Sequence, residues 1–282
     1  MSHKGWTQYA PLHKIGIILF VSAFAAMPVI ADPLPVTLGQ AFSFGVLAGS
    51  TVTNTGPSII YGDVGVSPGT AITGFPPGTV VGGMLRSNDA LAQGAQADLT
   101  TAFNVIEGET FDVDLTGQDL GRLTLNTGVF RFASSAQLTG ELILDAQGDP
   151  DARFDFQIGS TLTTASLSSV TLINGANANN VFFQVGSSAT LGTGSFFSGN
   201  ILALTSITLA TDASIDGRAL ARNGAVTLDT NRVGLGTVVP EAGTFALLGC
   251  VGVPSALVLL RRHRRTLTSP AGMTAPVDSL RT

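Results

Sequence analysis

The sequence is poor in the residues that usually carry catalysis or crosslink a small exported domain. It has one cysteine, Cys250, and three histidines, His3, His13 and His263, all near the two ends of the chain. A single cysteine excludes an intrachain disulfide. The positions of the histidines exclude a Ser-His triad or an imidazole metal site in the central part of the chain.

Positive charge is also scarce. The 282 residues include 14 Lys and Arg against 19 Asp and Glu, and no lysine occurs between residues 32 and 240. A protein that binds nucleic acid needs a basic stripe facing the phosphates, so nucleic acid is excluded as a partner. The central region is long enough for one domain with a substantial core.

The first 31 residues have the pattern of a secretory signal peptide. Lys4 and Lys14 precede an apolar run over 15–27, and small residues lead to a predicted cleavage site after Ala31. A membrane-spanning helix is the alternative, but the run is short for one. We therefore predict an exported protein, extracellular or at the cell surface, whose main domain covers residues 32–238.

A second apolar segment lies near the C-terminus. Residues 239–265 read VPEAGTFALLGCVGVPSALVLLRRHRR, an apolar run over 244–260 followed by arginines. The run has the minimal length for a membrane helix with its basic end on the cytoplasmic side, which predicts membrane contact before processing. The segment resembles the PEP-CTERM sorting signal, although Ala242 stands where that signal has its second proline and a tail over 266–282 follows. A simple C-terminal anchor is the alternative.

One four-residue phrase returns along the central region. It reads TLTT at 161–164, TLGT at 190–193, TLAT at 208–211 and TLDT at 227–230, with an earlier copy, TLNT, at 124–127. The last three copies start 18 and 19 residues apart, which is the length of one coil in a β-solenoid. The repeat therefore predicts stacked coils.

The alternation of side chains within each phrase predicts a half-buried strand. The leucines are predicted to stack inward, and the first threonines to stack outward in a straight row at about 4.8 Å per coil. The predicted outward row is Thr161, Thr190, Thr208 and Thr227. A second outward column beside it contains Thr163, Gly192, Ala210 and Asp229. The fourth residue of each phrase is predicted to lie at a corner of the coil.

The hydrophobic period changes to that of a helix between residues 88 and 106. Apolar residues recur there at steps of three and four, which predicts one long amphipathic helix packed along a side wall of the solenoid. Ser87 or Asn88 is the predicted cap, and Asp89 suits the first turn. The segments DAQGDPDARFDF (145–156) and INGANANN (173–180) are predicted to be loops between coils.

The central region resembles the microbial ice-binding protein family over residues 37–233, through LGQAFSFGVLAGSTVTNTG, GDVGVSPGTAITGFPPGTVVGG and GRALARNGAVTLDTN among other phrases. The resemblance implies a mainly β fold, a discontinuous right-handed β-helix of triangular cross-section, with one long α-helix packed along its side. It implies that the N-terminal segment forms coils at one end before the chain returns through the C-terminal repeats. It also implies adsorption to ice by one flat face.

Some members of this family carry Thr-Ala/Gly-x-Thr/Asn on the ice-binding face. The matching positions here are 164–167, 193–196 and 211–214, which keep the first threonine and end in Leu, Phe or Ser. Because a full double row of threonines is missing, we expect moderate ice-binding activity at most. We also expect the protein to be a monomer. The predicted ice-binding residues are Thr161, Thr163, Thr164, Thr190, Thr193, Ser195, Thr208, Ala210, Thr211, Ser214 and Thr227.

Two motifs are compatible with other chemistry. GVSPG at 65–69 matches a nucleophile pattern, but Pro68 and the glycines after it favour a turn. Asp145, Asp149, Asp151 and Asp155 could bind Ca²⁺, but their spacing favours a solvated acidic loop. We therefore predict no enzymatic activity, no metal and no cofactor. The alternative to ice binding is a cell-surface or extracellular-matrix protein that adheres to exopolysaccharide.

Overall fold

A computed structural model describes Met1 and residues 36–234 of the chain. The predicted signal peptide, sorting signal and C-terminal tail lie, Met1 apart, outside the described residues. Within the described part, no helix is both long and apolar enough to cross a membrane.

The described chain consists of short strands, one α-helix and two 3-10 turns, at Gly39–Ser43 and Ala178–Asn180. Before the helix the strands are β1 (Phe44–Ala48), β2 (Thr51–Thr55), β3 (Ile59–Tyr61), β4 (Asp63–Val66), β5 (Ala71–Thr73), β6 (Thr79–Val81) and β7 (Leu85–Ser87). The helix, α1, is Ala90–Gly108. After it come β8 (Val113–Asp114), β9 (Thr124–Leu125), β10 (Gly128–Phe132), β11 (Ala136–Leu138), β12 (Glu141–Asp145), β13 (Phe154–Ile158), β14 (Leu162–Thr164), β15 (Ser169–Ile173), β16 (Val181–Val185), β17 (Ala189–Leu191), β18 (Phe196–Ala203), β19 (Ile207–Leu209), β20 (Ser214–Ala221), β21 (Val226–Asp229) and β22 (Arg232–Val233).

The strands form the three sides of a β-helix. The first side, the threonine face, is a seven-stranded parallel sheet in the order β11-β14-β17-β19-β21-β2-β5. The second side, the helix face, has the order β7-β4-β1-β20-β18-β16-β13-β10-β8, and the third face contains β6, β3, β22, β15, β12 and β9. Strands β18 and β20 turn the corner between these two sides, where a Cβ on Gly217 would meet the backbone of Gly199. The predicted triangular, right-handed β-helix is confirmed.

The coils are not stacked in chain order. Strand β21, near the C-terminal end of the domain, pairs with β2, and β22 pairs with β3. The N-terminal coils therefore lie at one end of the solenoid, as the family resemblance implied. After β7 the chain must travel to β8 at the opposite end, and α1, with 19 residues and a length of roughly 28 Å, carries it along the helix face.

The interior is a continuous apolar core in which the four repeat leucines are all buried. Phe130, Phe156, Phe183 and Phe197 stack along it, with successive ring centroids 5.2, 4.3 and 4.6 Å apart. Aromatic pairs at such distances add stability beyond the area they bury. These stacked rings pack consecutive coils of different length against one another.

Helix α1 covers one side of this body. Its buried stripe of Ala92, Ala95, Leu99, Ala102, Phe103 and Ile106 packs on a cluster that includes Phe44, Leu47, Phe182, Leu202 and Leu220. The predicted start at residue 88 was two residues early, because Asn88 has a left-handed φ of 49° that no helix residue can adopt. The cap is Asp89, whose side chain accepts a hydrogen bond from the Ala92 amide at 2.8 Å.

One further prediction needs correction. The predicted loop over 145–156 is shorter, because Asp145 still belongs to strand β12 and Phe154 already opens strand β13. The early phrase TLNT lies on the third face, where Thr124–Leu125 pairs with β12. The coils before Gly186 are longer than those after it, and the repeat period is lost there.

Candidate functional site

The three sides of the solenoid differ in what they present to solvent. The helix face is covered by α1. The aligned outward positions of the third face alternate in size and charge: Glu141, Ser169, Phe196, Ser214, Arg232, Ile59 and Thr79. The threonine face presents aligned, small and mostly hydroxyl-bearing side chains.

The middle of the threonine face is one straight row of outward residues. The strand pairings align Gln137, Thr163, Thr190, Thr208, Thr227, Thr53 and Thr73, all of them exposed. We call this the central row. Parallel pairing spaces its members about 4.8 Å apart. Six threonines thus follow one another on six stacked strands.

The hydroxyls of the central row are open to water. Within residues 36–234, the side chains of Thr163, Thr190, Thr208, Thr227 and Thr53 make no hydrogen bond to protein within 3.5 Å; their oxygens face solvent. Only Thr73 reaches a carbonyl, that of Val52, at 3.5 Å. Their β-branched side chains have few rotamers on a strand, so the methyl and hydroxyl groups are held in fixed directions.

A second row lies two residues upstream of the central row. We call it the serine row: Ser135, Thr161, Ser188, Ser206, Ala225, Thr51 and Ala71. Here several hydroxyls bond between coils. Thr161 Oγ1 donates to Ser135 Oγ at 2.9 Å, and Ser188 Oγ accepts from the Ser206 amide at 3.3 Å. These bonds stiffen the edge of the face nearest the helix side.

A third row lies two residues downstream of the central row, next to the corner with the third face. We call it the rim row: Thr139, Ala165, Gly192, Ala210, Asp229 and Thr55. Its small residues keep the face flat. Beyond it, Thr193 and Thr211 lie exposed in turns at the corner, as predicted for the fourth residue of the phrase.

Four of the predicted site residues lie elsewhere in the structure. Thr161 belongs to the serine row and not to the central row. The reason is the register of strands β14 and β17, which pairs Leu162 with Ala189 and Thr163 with Thr190. The same shift turns Thr164 inward, where it is 3% exposed and its Oγ1 accepts from the Gly192 amide at 3.0 Å. Ser195 is 1% exposed, beneath a turn, and Ser214 lies on the third face between Phe196 and Arg232.

Two members of the central row, Thr53 and Thr73, are missing from the predicted site. Both come from the N-terminal coils, which do not contain the repeated phrase. The alternation in TVTNT at Thr51–Thr55 was the available signal, since it places Val52 inside and Thr53 outside. What could not be read from the sequence is that β2 stacks directly on β21.

The described residues show how the two competing motifs are used. Ser67 of the GVSPG motif is 4% exposed and donates from Oγ to Asn88 Oδ1 at 2.9 Å. Asp145 accepts from the Gln147 amide and from Asn174, whereas Asp155 is fully buried beside Arg153. In residues 36–234 there is no group of three His, Cys, Asp or Glu side chains that could hold a metal ion.

Comparison with known proteins identifies relatives over most of the chain. It matches the ice-binding-like family model over residues 46–234. It is 54% identical over 263 residues to an ice-binding protein of Nostoc sp. (strain HG1), covering 89% of this chain and 97% of that protein. An ice-binding protein from the Antarctic ascomycete Antarctomyces psychrotrophicus has a crystal structure that matches with a TM-score of 0.69 and 45% identity, over 72% of this chain and 98% of that one. The crystal structure of an ice binding protein from an Antarctic biological consortium matches with a TM-score of 0.70 and 48% identity, over 72% of this chain and 92% of that one. The chain therefore belongs to the ice-binding-like family.

Proposed function

We propose that the protein adsorbs to ice through its threonine face and thereby inhibits recrystallisation. The observation that carries this proposal is the central row, in which five consecutive threonine hydroxyls lack a protein partner and lie on one flat side. The serine and rim rows flank it with small side chains. The names of the relatives support the same function.

The physical basis is a match between two regular arrays. Ice offers neither a pocket nor a charge, only oxygens at fixed spacing. On the protein, threonine methyls discourage disordered water between them, and the hydroxyls anchor water in repeated positions. Each contact is weak, but the strand pairings and the buried core hold the array before binding. Little conformational entropy is lost on adsorption, so many weak contacts add up.

The residues of the threonine face determine how strong an ice-binding activity we expect. Gln137 closes one end of the central row, and the rim row has only two threonines, Thr139 and Thr55. The central row is nevertheless longer than the four threonines expected from the repeated phrase. We infer moderate activity, by a monomer without cofactor, metal or enzymatic activity.

Export is part of the proposal. The apolar run over 15–27 and the arginine-terminated run over 244–260 support a signal peptide at 1–31 and a sorting signal or anchor at 239–265. The domain at 32–238 would then act outside the cell or at its surface, with the segment at 266–282 as a tail.

The test places one large side chain on the flat face. Thr190→Tyr or Thr208→Tyr lifts the ice away from neighbouring residues, so we expect recrystallisation inhibition and thermal hysteresis to fall about ten-fold or more, because the contacts act together. Thr79→Tyr is the matched control, since Thr79 is an exposed strand residue of the third face. Circular dichroism verifies that all three variants fold.

Two outcomes would decide against ice adsorption by this face. Equal losses in Thr208→Tyr and Thr79→Tyr would place the active surface elsewhere. Normal growth of ice crystals in the wild-type protein, together with tight binding to exopolysaccharide, would instead favour a cell-surface adhesion or matrix protein.

A further inference from the structure

One residue of the threonine face carries a charge. Asp229 lies in the rim row between Ala210 on one neighbouring coil and Thr55 on the other. Throughout the serine, central and rim rows of the described domain, the other side chains are uncharged. Asp229 therefore interrupts an otherwise neutral surface along its rim, on strand β21.

The carboxylate of Asp229 is fixed at this position by two hydroxyls of the corner. Its Oδ2 accepts from Thr211 Oγ1 at 2.5 Å, and its Oδ1 accepts from Thr230 Oγ1 at 3.2 Å. The Asp229 amide donates to Asn231 Oδ1 at 2.5 Å, which fixes the backbone as well. The side chain is half-buried and cannot swing away from the rim without breaking these bonds.

Such a group is a poor neighbour for ice. A carboxylate has about four acceptor sites, of which the two hydroxyls occupy two. Water fills the others, in an arrangement set by the charge and not by the ice lattice. Ice provides no cation to replace that water, so contact at this point carries an uncompensated desolvation cost.

We propose that Asp229 limits the part of the threonine face that adsorbs to ice, and that removing its charge extends adsorption across the rim row. The inference rests on the proposed ice binding. Without the charge, Ala210, residue 229 and Thr55 form a continuous neutral stretch beside Thr208, Thr227 and Thr53.

The experiment compares three purified variants with the wild-type protein at equal concentration. Asp229→Asn keeps the shape and the acceptor for Thr211 but removes the charge, and Asp229→Ala removes both. Asp212→Asn is the matched control, because Asp212 is an exposed corner residue outside the three rows and loses the same charge. We expect thermal hysteresis to rise about two-fold in both Asp229 variants, since the carboxylate no longer has to be desolvated. The control should equal wild type.

The possible results separate the role of Asp229 from ice binding itself. Unchanged or lower hysteresis in folded Asp229→Asn and Asp229→Ala overturns the inference, while an active wild-type protein still supports ice binding. An equal rise in Asp212→Asn also overturns it, because the effect would then follow net charge. If wild type is inactive and Asp229→Asn becomes active, the inference stands and the proposed function of the natural protein fails. Inactivity of all four proteins rejects both.

Discussion

Two adjacent threonines, Thr163 and Thr164, have opposite roles. Thr163 is exposed in the central row, whereas Thr164 is 3% exposed and bonds to the Gly192 amide at 3.0 Å. Successive side chains of a strand point to opposite sides, so one step converts a water-facing hydroxyl into an internal acceptor. Composition alone does not identify which threonines are exposed on this face; the register against neighbouring coils does.

A second residue-scale effect concerns stability. Asp155 is fully buried and its carboxylate lies 2.6 Å from Arg153, which also bonds to Glu109 at 2.9 Å. Burial raises the pKa of Asp155 to about 8, with Arg153 opposing the rise and Glu109 adding to it. The single positive charge of Arg153 offsets only one of the two negative charges of Asp155 and Glu109, and protonation of Asp155 removes the other.

The direction of the pH dependence follows from this shift. The folded pKa of Asp155 lies above its ordinary value of 3.8, so the folded protein holds the proton more tightly than the unfolded chain. The stability that this proton contributes is complete below about pH 4 and is lost as the pH rises towards 8. Asparagine cannot titrate, so we expect the melting temperature of Asp155→Asn to fall less than that of wild type between about pH 5 and pH 9.

Thermal unfolding followed by circular dichroism at a series of pH values measures this difference. Asp151→Asn is the control, because Asp151 is exposed in the loop just before Asp155 and should keep the wild-type profile. Parallel profiles for wild type and Asp155→Asn would show that Asp155 is ionised throughout this range.

At the scale of elements, helix α1 depends on contacts at both of its ends. Asp89 accepts from the Ala92 amide, and Gln157 Nε2 donates to the carbonyls of Ile106 and Glu109, each at 2.7 Å. Helix ends leave backbone groups without partners, and these two side chains satisfy some of them. Asp89 thus completes the first turn of the helix, and Gln157, in strand β13, attaches the last turn to the solenoid.

Asp89→Ala tests the first of these contacts. Loss of an N-cap side chain typically costs about 1 kcal/mol, so we expect a folded protein with a lower free energy of unfolding in urea. Asn104→Ala is the control, since Asn104 is an exposed residue of the same helix and alanine is a better helix former. Recrystallisation inhibition should be equal in both variants, because α1 lies on a different side from the threonine face. A destabilisation of similar size in Asn104→Ala would contradict a capping role for Asp89.

The elements differ in how well the sequence predicts them. The helical stripe, the inward leucines and the outward Thr190, Thr208 and Thr227 were predicted correctly, because each depends on local periodicity. The wrong positions of Thr161 and Thr164 come from the 27-residue step between Thr163 and Thr190, where loops of unknown path set the register. The place of Thr53 beside Thr227 depends on a pairing between distant segments, which periodicity does not encode.

At the scale of the whole molecule, the threonine face is continuous because the N-terminal coils stack on the C-terminal coils. We call this junction, where β1 and β2 pair with β20 and β21, the seam. Val46 pairs with Ala219 on the helix face, and Thr53 pairs with Thr227 on the threonine face. Gly49, at the corner between them, donates its amide to Gly224 O at 3.0 Å. A Cβ at Gly49 would meet Arg222 O and lie 2.7 Å from the backbone of Asn223, so only glycine fits this approach.

Gly49→Ala should therefore open the seam while leaving the coils on either side intact. Overpacking of this kind typically costs about 1–3 kcal/mol. We expect amide hydrogen exchange to accelerate in β1, β2, β20 and β21 together, while β13 and β14, several coils away, keep their protection. Ice activity should fall with it, because Thr53 and Thr73 would no longer continue the row of Thr227. Gly108→Ala is the control, since a Cβ there meets nothing within 4 Å. Faster exchange confined to β1 and β2 would mean that the N-terminal coils open alone and that the seam is not a shared unit of stability.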